Sequence, residues 1–353
     1  MKKNKTQNNL NLKGKSVLIT GGTGSFGNSV TKRLLELNPR QIIIFSRDEK
    51  KQYDMRNKFD DNSRLRFVIG DVRDRSSIDK VMKGVNYVFH AAALKQVPTC
   101  EFFPLEAIRT NAIGAENVIR SAIENKVESV VVLSTDKAVY PINVIGMTKA
   151  LMEKIMISEA KNLISAKSKT LLCGVRYGNV LYTRGSVIPY FIGLIKQNKK
   201  LPVTQFQMTR FLLPLDDAVG LVLFALSKGK SGSMYIKKSP ACTLEVLAQA
   251  LCELFNHEKG YYEVGIRAGE KTHETLVAQE ESVRAKDLGD YYQIPPESQG
   301  LDYGRYFSRG VKPGKQIAPY TSENTKRLNV VQVKKILLSI PQVQKELKAI
   351  SKK

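Results

Sequence analysis

Short, wholly apolar runs alternate with amphipathic stretches through the first half of the chain. Ser16-Val17-Leu18-Ile19-Thr20 reads as a buried strand, followed by a glycine cluster. A helix is predicted from about Ser25 to Leu37, ending near Asn38-Pro39. Gln41 to Phe45, Arg66 to Ile69, Tyr87 to His90 and Val130 to Leu133 read as four further strands, with helical segments between them, one near Pro104 to Asn125. Continuous apolar runs, rather than strict alternation, are what strands covered on both faces require. Their regular exchange with helices predicts an α/β fold, a doubly wound parallel Rossmann sheet. The pattern loosens after Asn179. Ser186 to Lys196 and Leu215 to Ser227 look helical, and Asp287 to Tyr320, rich in Gly, Pro and Tyr, reads as a long ordered loop or arm.

Charge changes this picture little. The formal net charge is +23, partly from lysine-rich ends (Lys2, Lys3, Lys5, Lys345, Lys348, Lys352, Lys353). No nucleic-acid-binding motif or aromatic-basic stripe accompanies it, so nucleic acid is not expected as a partner. A solvated basic surface or a site for phosphates accounts for the excess. Four cysteines without C-x-x-C spacing read as thiols of a reducing compartment, and three scattered histidines make a metal site unexpected. No apolar run approaches the ~20 residues of a membrane span. The polar, basic N-terminus lacks the apolar core of a signal peptide. The expected location is cytoplasmic.

The first strand runs straight into Thr20-Gly21-Gly22-Thr23-Gly24-Ser25-Phe26-Gly27. Glycines at 21, 24 and 27 permit a tight turn, close approach of a pyrophosphate, and close packing of helix on strand. The helix start then offers free N–H groups to phosphate. Gly21, Thr23, Gly24, Ser25, Phe26 and Gly27 are therefore the expected dinucleotide cradle. The second strand ends in Ser46-Arg47-Asp48. An arginine there can pair with a 2′-phosphate, whereas an acidic residue would bind the free ribose of NAD, so the residues leave both cofactors open and favour NADP. Asp71 and Val72 are placed to flank the adenine. Ala91 and Ala92 supply small residues where backbone passes the cofactor.

The fifth strand ends in Ser134-Thr135-Asp136-Lys137, followed by Pro141-Ile142-Asn143 and Gly146-Met147-Thr148-Lys149. With Ala92-Ala93-Leu94-Lys95, Arg176-Tyr177-Gly178-Asn179-Val180, Met208-Thr209-Arg210-Phe211 and Gly269-Glu270-Lys271 before His273-Glu274, this order resembles the extended short-chain dehydrogenase/reductases. More narrowly, it resembles the inverting UDP-N-acetylglucosamine 4,6-dehydratases of capsule and O-antigen biosynthesis. The likeness runs from about Gly14 to Leu338. It departs at Ile145, which stands where the wider superfamily has the tyrosine of Y-x-x-x-K; an apolar residue there also resembles the capsule and O-antigen subgroup. Lys137, Tyr140 or a water are the candidates to replace that hydroxyl.

The resemblance implies a lyase. The C4 hydroxyl is oxidised transiently, the ketone makes the C5 proton acidic, water leaves from C6, and the hydride returns to C6. It assigns Lys137 as C5 base, Asp136 as acid for the C6 hydroxyl, Thr135 to the C4 hydroxyl and Lys149 to the nicotinamide ribose. Adjacency and partial burial are expected to tune Asp136 and Lys137 toward neutrality. Lys95, Asn179, Arg210, Arg267 and Glu270 are the implied contacts to a UDP-sugar. The division expected is an NADP-binding Rossmann domain at 14–185, with return elements from about 205–240, and a smaller C-terminal substrate-binding region at 186–340 including the arm 287–320. That arm is expected to embrace a neighbouring subunit of a homo-oligomer. The alternatives are a nucleotide-sugar epimerase of the same superfamily, a non-catalytic NADP-binding protein, or a nucleic-acid binder suggested by charge alone.

Overall fold

Every residue of β1 (Ser16–Thr20) is buried. A strand with no solvent-facing side needs helices on both faces of its sheet. In the computed structural model, which describes residues 10–297 and 317–350, the chain supplies them in order. After β1 come α1 (Ser25–Leu35), β2 (Gln41–Ser46), α2 (Glu49–Lys58), β3 (Leu65–Ile69), α3 (Arg75–Met82) and β4 (Tyr87–His90). Then follow α4 (Val97–Phe102), α5 (Pro104–Ile108), α6 (Gly114–Glu124), β5 (Ser129–Leu133), α7 (Val144–Ser165) and β6 (Leu171–Arg176). The six strands are parallel and ordered β6-β5-β4-β1-β2-β3. The order reverses between β1 and β4, and a crevice at the carboxyl ends of the strands is the consequence of that reversal. Two apolar clusters, one on each face of the sheet, fix the flanking helices.

The predicted helix from Pro104 to Asn125 is interrupted by a π-helical turn at Arg109–Ile113. Its buried Asn111 explains the irregularity. The side chain accepts from the Leu94 amide at 2.8 Å and donates to the Leu94 carbonyl at 3.0 Å and to Thr148 Oγ1 at 3.0 Å. One amide thus ties the segment after β4 to α7, one residue from Lys149.

The second half contributes α8 (Val187–Lys196), β7 (Leu201–Val203), β8 (Thr209–Phe211), α9 (Leu215–Lys228), β9 (Met234–Lys237), β10 (Ala241–Thr243) and α10 (Leu244–Leu254). Beyond them lie β11 (Tyr261–Glu263), β12 (Thr275–Val277), β13 (Lys286–Asp287), β14 (Tyr291–Ile294), β15 (Tyr320–Thr321) and two closing helices, Val330–Leu338 and Pro341–Ile350. β9 returns to the main sheet parallel to β6. A separate apolar cluster joins α8, α10 and the closing helices. The stretch read as an arm from Asp287 needs correction at its start. Tyr291–Ile294 pairs antiparallel with β9, and Lys286–Asp287 pairs with it in turn, extending the sheet to nine strands. Tyr291 stacks on Phe224 with centroids 4.2 Å apart, which anchors this edge to its own chain. The remainder of the arm, 298–316, lies outside the described residues.

A buried ion-pair network joins the two halves. Arg176, at the end of β6, donates through Nε to Glu153 Oε1 of α7 at 2.8 Å, and through Nη1 and Nη2 to Glu281 at 2.7 and 2.8 Å. Nη1 also reaches the Leu276 carbonyl of β12. Burial would raise the Glu281 carboxyl, but the Arg176 guanidinium outweighs it and holds the group below its usual range. Removing one member of such a network strands the others without a partner. Arg176→Met is expected to cost about 3–5 kcal/mol, read as a lower midpoint in urea unfolding; a loss under about 1 kcal/mol would show that the network is not structurally critical.

Candidate active site

The crevice at the strand ends is a single cleft of about 2900 Å³. Its nucleotide end is built by the turn after β1. Gly21 has φ +67°, and a Cβ on it would stand 2.8 Å from the backbone N and Cα of Ala92. A Cβ on Gly27 would meet the Gly22 carbonyl oxygen at 2.1 Å, so α1 packs against the turn as only glycine permits. No acidic side chain lies in the first turn of α1, and its N-terminus faces the cleft, where Thr23, Gly24, Ser25 and Phe26 line the wall. This cradle fits a dinucleotide pyrophosphate.

At the end of β2 the structure separates two neighbours that the sequence left in competition. Asp48 caps α2, accepting from the Lys51 amide at 2.9 Å and pairing with the Lys51 ammonium. Those contacts with Lys51 hold its carboxyl below the usual range. Arg47, half exposed at the cleft, is steered by Asp71 at 3.4 Å, and Asp71 is itself held by Arg73 at 2.6 Å. Ser46, Val72, Ala91 and Ala92 complete this end of the wall.

The reacting end lies beyond β5. Thr135 opens a single 3-10 turn, Asp136–Ala138, and donates to Asp136 Oδ1 at 2.9 Å. Helix α7 docks directly on that turn: a Cβ at Gly146 would fall 2.2 Å from the Lys137 carbonyl oxygen. Asn143 caps α7 through the Gly146 amide and donates to the Gly269 carbonyl at 2.7 Å, bringing in the loop that carries Glu270. Lys137 Nζ stands between two buried carboxylates, Asp136 Oδ1 at 3.1 Å and Glu274 Oε1 at 3.2 Å. Burial, and then the nearby Glu274 charge, push the Asp136 carboxyl above its ordinary range. Burial alone would lower Lys137, but the two carboxylates outweigh it and raise its pKa. The expectation that both groups move toward neutrality is therefore corrected for Lys137, which moves away because it faces two anions rather than one. Lys149 is buried and donates to the Leu133 carbonyl at 2.8 Å; burial lowers its pKa to about 8.

The substrate side is a chain of alternating charges. Arg210 of β8 lies 3.9 Å from Glu274 and 4.0 Å from Glu270, and Arg267 lies 3.9 Å from Glu270. Asn179 lines the cleft with a buried Oδ1 that makes no hydrogen bond, and Lys95 stands exposed at the mouth. All the residues singled out in the sequence for cofactor, chemistry and substrate line this one cleft. Tyr140, left open as a replacement for the missing phenol, is the exception. The Tyr140 hydroxyl donates to Glu280 at 2.6 Å and accepts from the Gln279 amide, outside the cleft wall. Ile145 is buried beside Cys100 and Ala107 in a small apolar cluster. Glu274 and Lys271 were given no role from sequence. Their only signal was position within the Gly269-Glu270-Lys271 and His273-Glu274 motif. Among the described residues no cluster suited to a metal ion occurs, and no helix is long and apolar enough to cross a membrane.

Comparison with known proteins agrees with this architecture. A solved structure of Pen from Bacillus thuringiensis superposes with a TM-score of 0.85 at 35% identity, covering 94% of this chain and 100% of that one. A dTDP-glucose 4,6-dehydratase, DesIV from Streptomyces venezuelae, solved with NAD and TYD bound, shares the fold at a TM-score of 0.67 and 20% identity, over 84% of this chain and 95% of that one. A protein of Rickettsia bellii (strain RML369-C) named UDP-glucose 4-epimerase is 56% identical over 338 residues, 95% of this chain and 98% of its own length. The family profile described as polysaccharide biosynthesis protein matches residues 17–296, and that described as polysaccharide biosynthesis protein C-terminal matches 298–344. On these matches the chain belongs to the polysaccharide biosynthesis protein family, with a Rossmann-like fold.

Proposed function

We propose that this protein is a nucleotide-sugar-modifying enzyme of the extended short-chain dehydrogenase/reductase type. More finely, we propose a UDP-N-acetylglucosamine 4,6-dehydratase that inverts C5, a hydro-lyase using NADP and serving polysaccharide synthesis. The observation that carries this reading is the pairing of buried Asp136 with the partly exposed Lys137, 3.1 Å apart, at the floor of the cleft. A hydride transfer at C4 needs only one base for one hydroxyl. Loss of water across C5 and C6 needs a base and an acid together, held on the same ring.

When bound, NADP supplies the reversible hydride acceptor for C4. The chain's own residues do the rest. Asp136 and Lys137 share one proton across 3.1 Å. With the proton on nitrogen, the pair is carboxylate and ammonium. With it on oxygen, the pair is carboxylic acid and amine, the form that can take the C5 proton and give one to the departing C6 hydroxyl. A single proton shift thus arms both groups; burial favours the uncharged form of Asp136, while the two carboxylates beside Lys137 favour its ammonium. Thr135 and the docked turn hold Asp136 in place. Lys149 lies at the carboxyl end of β5, where it can bond the nicotinamide ribose. Arg210 and Arg267 offer bidentate contacts to a diphosphate, and Glu270 can accept from the uridine ribose.

A second reading, 4-epimerisation, is favoured by the name carried by the Rickettsia relatives. The two separate cleanly. Incubated with UDP-N-acetylglucosamine in D2O without added reductant, the protein is expected to yield a product lighter by one water, with deuterium at C5, inverted stereochemistry there and no build-up of reduced cofactor. A product of unchanged mass with inverted C4 would establish the epimerase instead. Lys137→Ala is expected to lower the dehydration rate by at least about 100-fold; full activity would remove Lys137 as base.

The cofactor preference also rests on geometry. Asp48 is occupied as a helix cap, leaving Arg47 to meet a 2′-phosphate. Arg47→Ser is expected to weaken NADP binding about tenfold or more, with little change for NAD. Equal loss for both cofactors, measured by titration calorimetry, would contradict the assignment.

A further inference from the structure

The third member of the buried charge cluster has no role in the reaction so far described. Glu274 immediately precedes β12, its side chain is 3% exposed, and it lies 137 residues from the lysine it meets. Lys137 faces it at 3.2 Å, Lys271 at 3.8 Å and Arg210 at 3.9 Å. Its backbone amide is fixed by Ser322 Oγ at 2.8 Å, so the carboxylate is aimed rather than free to swing. Two carboxylate oxygens in this cluster, Asp136 Oδ2 and Glu274 Oε2, are buried and make no hydrogen bond.

We propose that Glu274 is a positioning residue for the proton chemistry: its fixed carboxylate takes up the field of Arg210 and Lys271, and so leaves Asp136 as the carboxyl that carries the exchangeable proton. The proposal rests on the acid–base reading of the Asp136–Lys137 pair. A cleft that grips a diphosphate must gather cations, and cations beside Asp136 would keep it ionised and useless as an acid near neutrality. A second carboxylate among those cations cancels them. Of the two acids, Glu274 touches three cations and is held below the ordinary carboxylate range, against the effect of its burial. Among the described residues Asp136 has only Lys137 within ion-pair distance, and it is pushed the other way. The groups facing Glu274 are Asp136 and Lys137 from the turn after β5, Arg210 from β8, and Lys271 on the loop before β12. Glu270 lies 4.0 Å from Arg210 Nη2. His273 turns its ring away toward Thr209 and Glu323.

The sign of the effect follows. A negative neighbour raises the pKa of a carboxyl and of an ammonium alike. Replacing it with a neutral amide lowers both. A unit charge about 6 Å away at an effective dielectric of about 20 is worth on the order of 2 pH units. The whole window between the acid and basic limbs of kcat/KM is therefore expected to slide to lower pH in Glu274→Gln, by about 1–2 units, with KM changed little. Glu274→Asp, which keeps the charge, is expected to retain limbs near those of the native protein. Lys271→Met removes a cation and is expected to move the same limbs upward.

The test has a readout independent of turnover. The side-chain carboxyl of Asp136, labelled with carbon-13 and assigned by its loss in Asp136→Asn, is titrated by NMR in the native protein, Glu274→Gln and Lys271→Met. A midpoint that falls in the first variant and rises in the second supports the proposal. A midpoint unmoved, or moved the opposite way, in either variant overturns it. Should Glu274→Gln fail to fold, as far-UV circular dichroism would show, Lys271→Met alone decides by the same criterion. If the native protein produces no water-depleted sugar while the Asp136 midpoint shifts as described, the dehydratase reading has failed and the electrostatic role of Glu274 stands.

Discussion

The double clasp of Arg176 is the constraint from which the working geometry descends. The cleft draws on two parts of the chain that are far apart in sequence: the turn after β5, and the segment around β12. Nothing local brings them together. A guanidinium buried between Glu153 of α7 and Glu281 after β12 does so, and Ser134 joins the same carboxylate from the neighbouring strand. Fully paired, such a network fixes one arrangement; half paired, it would be a burial penalty with no return. The meeting of Glu274 with Lys137, and hence the charge pattern of the cleft floor, inherits its precision from this clasp.

Around that anchor the molecule divides its labour by depth. The glycine turn and the start of α1 form one wall of the cleft through backbone, with no acidic side chain in the first turn. Asp136, Lys137 and Glu274 sit at the floor, where low polarisability makes each neighbouring charge count. Toward the outside, Arg210, Glu270 and Arg267 form charges of alternating sign linked in series.

What could be read from the sequence was whatever depended on near neighbours. The strands from β1 to β5 stand out because each is built on a short apolar run, and the glycine turn because its spacing has one structural purpose. The Thr135-Asp136-Lys137 motif was legible because its residues are adjacent. Glu274 was not, since its significance lies in contacts across more than a hundred residues, and a glutamate in sequence gives no sign of being buried. Asp48 and Arg47 were ambiguous for a different reason: both fit a cofactor, and the cap that Asp48 makes on α2 is visible only in the fold. β14 escaped notice because Tyr291-Tyr292-Gln293-Ile294 sits between Gly289-Asp290 and two prolines, a composition that reads as loop. Its strand character comes from the open edge of β9.

The contact of Gly146 with the Lys137 carbonyl has a further meaning for how this site could change over evolutionary time. A reactive lysine is usually placed by what its side chain touches, and can be re-aimed by altering those partners. Here the main chain itself rests against a helix at a spot with no room for even a methyl group. The distance from helix to turn is therefore a fixed gauge, insensitive to drift in the surrounding side chains. Variation is then left to the rim, where Lys95 and Arg267 stand exposed, away from that contact.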